Sequence, residues 1–383
     1  MSVVWPRVKL GEVLHSVPRP LHVKADVLYR EIGIRSHGKG VFHKNPVSGL
    51  ELGSKKVFWV EPGDFVLNIV FAWEGAVAVL NDADAGMIGS HRFPTFRADE
   101  ARLDCHFLLA YLRTPEGIDL LGRVSPGGAG RNRTLSRTAF LQQDIPLPPL
   151  TQQKRIVALI KEVTLQVVEA SRLRREAVNE IALMYRSILL SDRNAHAKPM
   201  SALVKLKKPD VLVRAEAVYQ FAGVYCFGRG VFKGQAKLGM EFAYPRLTRI
   251  RSGNFVYPKL MAWEGALGIV PPECDGLVVS TEFPVFEVIE EQVLPEVLDV
   301  YFRNPSIWPA LSGASTGTNV RRRRLNPVDF LRYEFPVPSK PVQSELRRVL
   351  SETAPLRALQ SETGAEIDAL VPSVLQKVFA AGM

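Results

Sequence analysis

The sequence is poor in the features that mark secreted, membrane-spanning and metal-binding proteins. Its 3 cysteines, Cys105, Cys226 and Cys274, are too few and too far apart for a disulfide framework or a Cys-x-x-Cys zinc site. We expect all three to be buried small apolar residues in a reducing cytoplasm. No apolar run approaches the ~20 residues of a spanning helix, and the N-terminal segment lacks the apolar core of a signal peptide. The sequence therefore predicts a cytoplasmic protein without membrane contact.

Motifs of common catalytic sites are also missing. Neither a G-x-x-x-x-G-K-[ST] phosphate loop nor an H-E-x-x-H metal motif is present, and the 7 histidines are scattered. The run from Phe227 to Gly230 resembles a nucleotide-binding loop only weakly, because no strand-loop-helix sequel follows. Asp210 and Glu216 form an incomplete nuclease motif, because no lysine follows in place. We therefore expect a chain that is not an enzyme and that holds no metal or cofactor itself.

What the sequence does have is a cationic excess in a globular composition. The 49 Lys+Arg residues outnumber the 39 Asp+Glu residues, which leaves a net charge of +10, and hydrophobic residues make up 46%. This composition is typical of two or three folded domains. The charge favours nucleic acid as a partner, although composition alone is equally compatible with a basic protein that binds no polyanion.

A repeat of about half the chain length is the strongest positive feature. Tyr29 returns as Tyr219, and 219 minus 29 is 190. Other segments keep this offset: Gly63-Asp64-Phe65-Val66 with Gly253-Asn254-Phe255-Val256, Ala72-Trp73-Glu74-Gly75-Ala76 with Ala262-Trp263-Glu264-Gly265-Ala266, and Phe93-Pro94-Thr95-Phe96 with Phe283-Pro284-Val285-Phe286. The period far exceeds that of solenoid repeats. The chain is therefore predicted to contain one domain twice, with two similar surfaces for a partner that has two sites.

Each copy combines predicted strands with short helices. In the first copy, β-branched and aromatic segments predict strands at 56–60, 65–70 and 76–80, and apolar spacing predicts a helix over 106–113 followed by another after Pro115. We favour a buried Trp73 and a buried Trp263, each followed by a glycine that serves a bulge or turn.

A long helix is predicted after each copy. Over 151–191 there is no glycine or proline, and apolar or small residues recur in steps of 4 and 3, with Arg174 as a polar exception: Ile156, Ile160, Val163, Val167, Ala170, Ala177, Ile181, Met184 and Ile188. A weaker seam, with Gly364 inside it, comprises Val349, Thr353, Leu356, Gln360, Thr363, Ile367, Leu370 and Val374. The helices are either unrelated surface helices or, as the duplication favours, an antiparallel coiled coil.

The predicted fold class is accordingly α+β. Two duplicated mixed α/β domains, 1–150 and 193–340, are separated by two long antiparallel coiled-coil helices, 151–192 and 341–383, with pseudo-twofold symmetry.

Basic loops are the best candidates for DNA contact. A glycine-rich lead-in precedes a cationic cluster in each copy: Arg131, Asn132, Arg133 and Arg137 in the first, and Arg321, Arg322, Arg323 and Arg324 in the second. Guanidinium groups suit phosphate oxygens and the guanine edge, although one such run alone is as compatible with a solvated patch. Loops that differ between the copies add four cations: Arg35, Lys39, Arg229 and Lys259.

In combination, these motifs resemble the DNA-specificity (S) subunit of type I restriction-modification systems. The resemblance covers nearly the whole chain and rests on four segments: Trp5 to Val13, Gly63 to Leu67, Gly127 to Leu135, and Ile145 to Ile156. The second copy departs from the pattern, because Phe335 to Ser339 lacks the second Pro-Leu and Gln343-Ser344-Glu345-Leu346 replaces Gln-Lys-Arg-Ile.

The resemblance implies a non-catalytic subunit with two target-recognition domains. Each domain would bind one half of a split double-stranded DNA target, while the helices would set the spacer and dock two modification (methyltransferase) subunits. Those partners would bring S-adenosylmethionine, and restriction subunits would be further partners. The alternatives are a specificity subunit of a type II-like or other defence methylation system, and a stand-alone DNA-binding scaffold.

Overall fold

The computed structural model describes residues 5–127, 133–313 and 323–380, and within them it divides into two compact units. Unit 1 comprises Met1–Leu173 and Glu362–Met383, and unit 2 comprises Arg174–Ser361. Each unit therefore contains the beginning of one long helix and the end of the other. The sequence boundaries instead treat each helix as a segment of its own.

Unit 1 contains twelve short strands among its described residues: β1 Arg7–Lys9, β2 Leu14–Ser16, β3 Leu28–Tyr29, β4 Ile32–Ile34, β5 Val41–His43, β6 Val47–Ser48, β7 Val57–Trp59, β8 Phe65–Leu67, β9 Val77–Val79, β10 Ile88–Ser90, β11 Thr95–Ala98 and β12 Asp144–Pro146. Its helices are α1 Gly49–Leu52, α2 Cys105–Tyr111, α3 Pro115–Arg123, α4 Arg137–Leu141 and the first part of α5 Leu150–Leu190.

Unit 2 repeats much of this order. Its described strands are β13 His196–Pro199, β14 Val204–Leu206, β15 Val211–Leu212, β16 Val218–Tyr225, β17 Gly230–Leu238, β18 Arg246–Arg249, β19 Phe255–Val256, β20 Gly268–Ile269, β21 Val278–Val279, β22 Val285–Val288 and β23 Glu334–Val337. Its helices are α6 Pro295–Phe302, α7 Trp308–Gly313, α8 Pro327–Leu331 and the first part of α9 Lys340–Ala380. The predicted mixed α/β class with two long helices is confirmed.

The same antiparallel sheet lies in both units. Its strand order is β2-β11-β8-β9 in unit 1 and β14-β22-β19-β20 in unit 2. The register is shared as well, because Phe96 faces Phe65 in unit 1 and Phe286 faces Phe255 in unit 2. In each unit one of these rings stacks on a phenylalanine of a short helix, Phe140 in unit 1 and Phe330 in unit 2. The repeated apolar positions thus produce the same core twice.

Unit 2 differs from unit 1 in one extended hairpin. Strands β16 and β17 pair over most of their length, with a bulge between Gln220 and Ala222, and join a five-stranded sheet. The corresponding strands of unit 1, β4 and β5, have only three residues each and form a separate two-stranded sheet. The shared framework therefore bears a short hairpin in unit 1 and a long hairpin in unit 2.

The two long helices are antiparallel where they meet. In unit 2 the Arg174 guanidinium donates to the main-chain oxygen of Gln360, and the Tyr185 hydroxyl bonds the Thr353 hydroxyl. As the residue number rises along α5, the partner's number falls along α9, which defines an antiparallel pair. Arg174 and Gln360, two of the polar positions predicted in the seams, thus contact each other.

The predicted seams need three corrections. Met184 is 37% exposed while its neighbour Tyr185 is 6% exposed, and Leu356 and Leu370 are exposed on α9. A straight helix drifts by ~20° per heptad relative to a strict seven-residue repeat, so the buried stripe moves to a neighbouring position. Gly364, inside the weaker seam, is buried in α9, and this helix also continues through Pro355.

A buried glutamine fixes the beginning of each long helix. Gln153 Nε2 donates to the main-chain oxygens of Pro148 and Arg102, both at 2.8 Å, and its Oε1 accepts from Asp104 N at 2.9 Å. Gln343 repeats the arrangement with Pro338 O at 2.8 Å and Leu294 N at 2.9 Å. The side chain thereby joins the helix to the loop that precedes α2 or α6.

Replacing Gln153 with leucine should lower the free energy of unfolding of unit 1 by about 3 kcal/mol, because two carbonyls and one amide lose their buried partner. Urea unfolding followed by tryptophan fluorescence measures the loss. The neighbouring Gln152 is half-exposed, so Gln152→Leu is a matched control that should change stability by less than about 0.5 kcal/mol. Equal losses in the two variants would contradict the anchoring role.

Candidate nucleic-acid interface

A wide groove of about 1000 Å³ opens in unit 1 and is lined by several cations. Its apolar floor includes Phe58, Ile69 and Phe93, and Glu31 is the one carboxylate among its described lining residues. Its basic residues, which define what we call the unit 1 groove, are Lys44, Lys55, Lys56, His91, Arg92 and Arg137. The shape and charge of this surface suit an extended polyanion.

Main-chain hydrogen bonds hold the loops that line this groove. Ile69 N donates to Arg92 O at 3.0 Å, and Leu135 N donates to Ile69 O at 2.8 Å. His91 N donates to Lys56 O at 3.0 Å, which ties the loop after β10 to the residue before β7. The cationic side chains therefore extend from loops that are fixed to one another rather than from independent flexible segments.

Two of the lysines share one buried acid. Glu31 is almost fully buried, and its Oε2 lies 3.6 Å from Lys44 Nζ and 3.5 Å from Lys55 Nζ. By contrast, Lys56, Arg92 and Arg137 are exposed, and none of them forms an ion pair with a carboxylate in the described part of the chain. These three cations can therefore meet phosphate oxygens without first breaking an internal ion pair.

Of the predicted cations of unit 1 that the structure describes, only Arg137 lines the groove. Arg133 lies with its guanidinium 5.1 Å from the centre of the Trp73 ring, a cation–π contact. Arg131 and Asn132 lie outside the described residues. Arg35 stacks on Phe42 at 4.9 Å and Lys39 is exposed, but neither lines the groove.

In unit 2 the predicted cations are placed differently. Arg324 and Lys259 both form ion pairs with Glu282, the latter at 3.7 Å. Arg229 lies 4.6 Å from the Tyr225 ring, at the tip of the β16–β17 hairpin. Arg323 is half-buried, and Arg321 and Arg322 lie outside the described residues.

The sequence analysis did not predict five basic residues of the groove: Lys44, Lys55, Lys56, His91 and Arg92. A comparison of charges between equivalent positions would have found part of this set, because Arg92 corresponds to Glu282 and Lys55 to Pro245 at the constant offset. Their convergence was not predictable, since they come from three loops that are distant in sequence. Only the tertiary structure places them on one surface.

The Trp-Glu-Gly segment forms the same short 3₁₀ turn in both units. Gly75 and Gly265 end it with φ of 73° and 76°, a left-handed conformation that favours glycine. Trp73 and Trp263 are half-exposed, so the prediction of buried tryptophans is wrong, whereas the prediction of a glycine turn is confirmed. The indole N–H of each donates to a main-chain oxygen three residues earlier, which holds the ring at the surface.

In both units, a non-glycine residue with a left-handed backbone contacts this turn. His37 has φ 60° and Phe227 has φ 64°, and these are the only non-glycine residues with positive φ in the described chain. Their amides donate to Glu74 O at 2.7 Å and to Glu264 O at 2.8 Å, respectively. Backbone strain of this kind persists where surrounding structure imposes it. The contact fixes the 36–40 and 226–230 loops against the tryptophan turns.

The cysteines are less uniform than predicted. Cys274 is buried, but Cys105 and Cys226 are only partly buried, so the prediction of three buried cysteines is wrong for two of them. Burial nevertheless raises the pKa of the Cys105 thiol to about 11 and raises the pKa of Cys226 and Cys274. A raised pKa disfavours the nucleophilic thiolate.

The described residues contain neither a cluster suited to a metal ion nor a helix suited to a membrane. Within 5–127, 133–313 and 323–380, no group of three or more His, Cys, Asp or Glu side chains is placed to hold a metal ion. In the same ranges, no helix is long and apolar enough to cross a membrane.

The fold and surface define a class: a duplicated α/β protein in which one long helix begins after each copy, with a cationic groove in unit 1. No protein-family profile matches the sequence, and no curated protein is significantly similar to it.

Solved structures do share this architecture. A chain from a structural study of complex assembly and conformational transition in the type I R-M system has a TM-score of 0.63 and 19% identity, covering 99% of this chain and 98% of that one. The type I restriction-modification S subunit of M. genitalium has a TM-score of 0.52 and 10% identity, with 98% and 96% covered. The HsdS subunit of Thermoanaerobacter tengcongensis has 20% identity over 99% and 97% of the chains, at a TM-score of 0.48. The first two likenesses establish a shared fold across nearly the whole chain.

Proposed function

We propose that this chain is the DNA-specificity subunit of a type I restriction-modification system. The observation that carries the proposal is the likeness of fold, over 99% of the chain, to a chain of a type I R-M system. The duplication supports it, since two copies of one unit suit a DNA target with two half-sites. Joining two weak half-site contacts in one chain raises the effective concentration for the second contact.

The surface chemistry of unit 1 supports DNA as the ligand. Lys56, Arg92 and Arg137 would bind phosphates and so position the unit on the duplex. A few contacts to base edges, worth ~1–3 kcal/mol each, would then supply the sequence preference. Arg133, stacked on Trp73, is a further candidate for such contacts.

The long helices are the proposed docking site for two modification subunits. Along α5, Leu159, Leu165 and Val168 of unit 1 are exposed, as are Val178 and Leu183 of unit 2. We take these exposed apolar side chains along the helix as the surface that the partner covers. The partner would bring S-adenosylmethionine and the methyl-transfer chemistry, whereas this chain would hold no cofactor; restriction subunits would join the same complex.

Deleting the gene should remove a split methylated motif from the host genome. Long-read methylome sequencing of the wild type, the deletion strain and a complemented strain measures this, and the motif should return only with the intact gene. The proposal fails if the three methylomes are identical. A chain that still binds DNA in that case would be a stand-alone scaffold, whereas a lost motif without an internal spacer would indicate a type II-like system.

A further inference from the structure

The surfaces that correspond to the unit 1 groove differ in charge between the two units. Main-chain bonds establish the correspondence, because Lys259 N donates to Glu282 O at 3.0 Å and Leu325 N donates to Lys259 O at 2.9 Å. These repeat the bonds of Ile69 with Arg92 and Leu135 at an offset of 190 residues. Equivalent positions can therefore be compared one by one.

Unit 2 lacks most of the cations. Where unit 1 has Lys44, Lys55 and Arg137, unit 2 has Gly234, Pro245 and Pro327, which are uncharged. Where unit 1 has Arg92, unit 2 has the opposite charge of Glu282.

The cations that unit 2 does have near this surface are mostly neutralised. Lys259 and Arg324 form ion pairs with the same Glu282 carboxylate. Binding a phosphate would require both to leave this partner, whereas Arg246 forms no ion pair among the described residues. Among the described residues, this surface of unit 2 can therefore release fewer counterions from DNA than the unit 1 groove.

Aromatic and apolar side chains lie at other positions of this surface in unit 2. Phe221 replaces Glu31, and Tyr244, which is 38% exposed, replaces Ser54. Phe242 joins them, with ring centres 5.2 Å from Phe221 and 6.4 Å from Tyr244. Met261 is also exposed here. Such side chains suit the faces of bases and the thymine methyl group, whose binding depends little on salt.

We propose that the unit 1 groove and the corresponding surface of unit 2 contribute unequally to DNA affinity: the groove supplies more of the salt-dependent phosphate contacts, and the surface of unit 2 binds mainly through its aromatic side chains. The inference rests on the proposed DNA-binding function. It assigns Lys56, Arg92 and Arg137 to phosphate binding, and Tyr244 and Met261 to apolar contact with bases.

The test measures how the affinity of the full chain for a fluorescent mixed-sequence DNA duplex depends on salt, between about 50 and 200 mM. The triple change Lys56→Gln, Arg92→Gln and Arg137→Gln should make the slope of log affinity against log salt shallower by ~2.7, at ~0.9 per lost contact. The matched control removes three exposed cations from α5 of the same unit, with Lys154→Gln, Arg155→Gln and Lys161→Gln, and should change the slope by less than ~0.9.

Three changes in unit 2 complete the test. Replacing Arg246, Lys259 and Arg324 with glutamine should make the slope shallower by no more than ~0.9, because two of these cations are already paired. Glu282→Gln releases them and should steepen the slope by ~1–2 while raising affinity. Tyr244→Ala should weaken binding without changing the slope. Thermal melting checks that each variant folds.

Different results would overturn the unequal contribution of the two surfaces and the proposed DNA-binding function. Equal changes of slope for the two glutamine triples, or an unchanged slope for Glu282→Gln, would overturn the unequal division while leaving DNA binding intact. A wild-type chain without measurable affinity for the duplex at low salt would overturn the proposed function itself.

Discussion

Replacing Phe379 with alanine should lower the free energy of unfolding of unit 1 by about 3–5 kcal/mol. The ring lies near the end of α9 and is 1% exposed. Its centre is 5.8 Å from that of Trp5, 5.4 Å from that of Phe107 and 5.7 Å from that of Tyr111. The change removes a large buried side chain among rigid rings that cannot collapse into the space.

Urea unfolding monitored by tryptophan fluorescence is suited to this measurement, because Trp5 contacts the altered side chain. Leu370→Ala on the same helix is the control, since Leu370 is exposed and its loss should cost less than about 0.5 kcal/mol. If both variants unfold at the same urea concentration, the end of α9 does not stabilise unit 1. A confirmed loss would mean that the last residues of the chain are required for the fold of its first domain.

Replacing Asp64 with alanine should cost unit 1 about 3 kcal/mol. The carboxylate is fully buried and accepts from Arg19 at 2.7 Å, lies 2.9 Å from Arg97 Nη2, and accepts from Glu61 N at 3.2 Å. Removing this buried acid leaves the two arginines with only the exposed Glu61 carboxylate as a charged partner. The expected loss of stability is near the lower end of the range for breaking a buried ion pair, because both guanidinium groups retain some exposure to water.

Unit 2 provides the matched control for this change. Asn254 occupies the equivalent position, and its Oδ1 accepts from Arg251 N at 3.0 Å, so an amide is sufficient for the turn. Asp64→Asn should therefore keep the bond from Glu61 N and lose only the charge, with about half the cost of the alanine variant. Chemical denaturation of the two variants compares them. Equal losses for asparagine and alanine would assign the whole effect to charge, and a neutral asparagine variant would rule out a stabilising role for the two arginine contacts.

Both predictions concern unit 1, where the proposed phosphate contacts lie. Arg97 and Arg19 are engaged by Asp64 and Glu61, so they are unsuited to bind DNA even though they add to the basic charge. Net charge thus overstates the cationic surface available to a ligand. The distinction between paired and unpaired cations is what separates the unit 1 groove from its counterpart in unit 2.

The sequence by itself determined the duplication, the mixed α/β class and the two long helices. These follow from local patterns, because residue spacing sets which face of a helix or strand is apolar and a fixed offset is visible without coordinates. The glycine turns after Trp73 and Trp263 were also predictable, since a left-handed residue favours glycine.

Only the tertiary structure decided which cations act together. Lys56, Arg92 and Arg137 share a groove although they lie far apart in sequence, whereas the conspicuous Arg324 is paired with Glu282. Tyr185 in place of Met184 in the helix seam, and the half-exposed tryptophans, were likewise settled by packing. The physical reason is common to all of these: ion pairing and burial depend on side chains from distant segments, and their meeting is fixed by the fold rather than by local spacing.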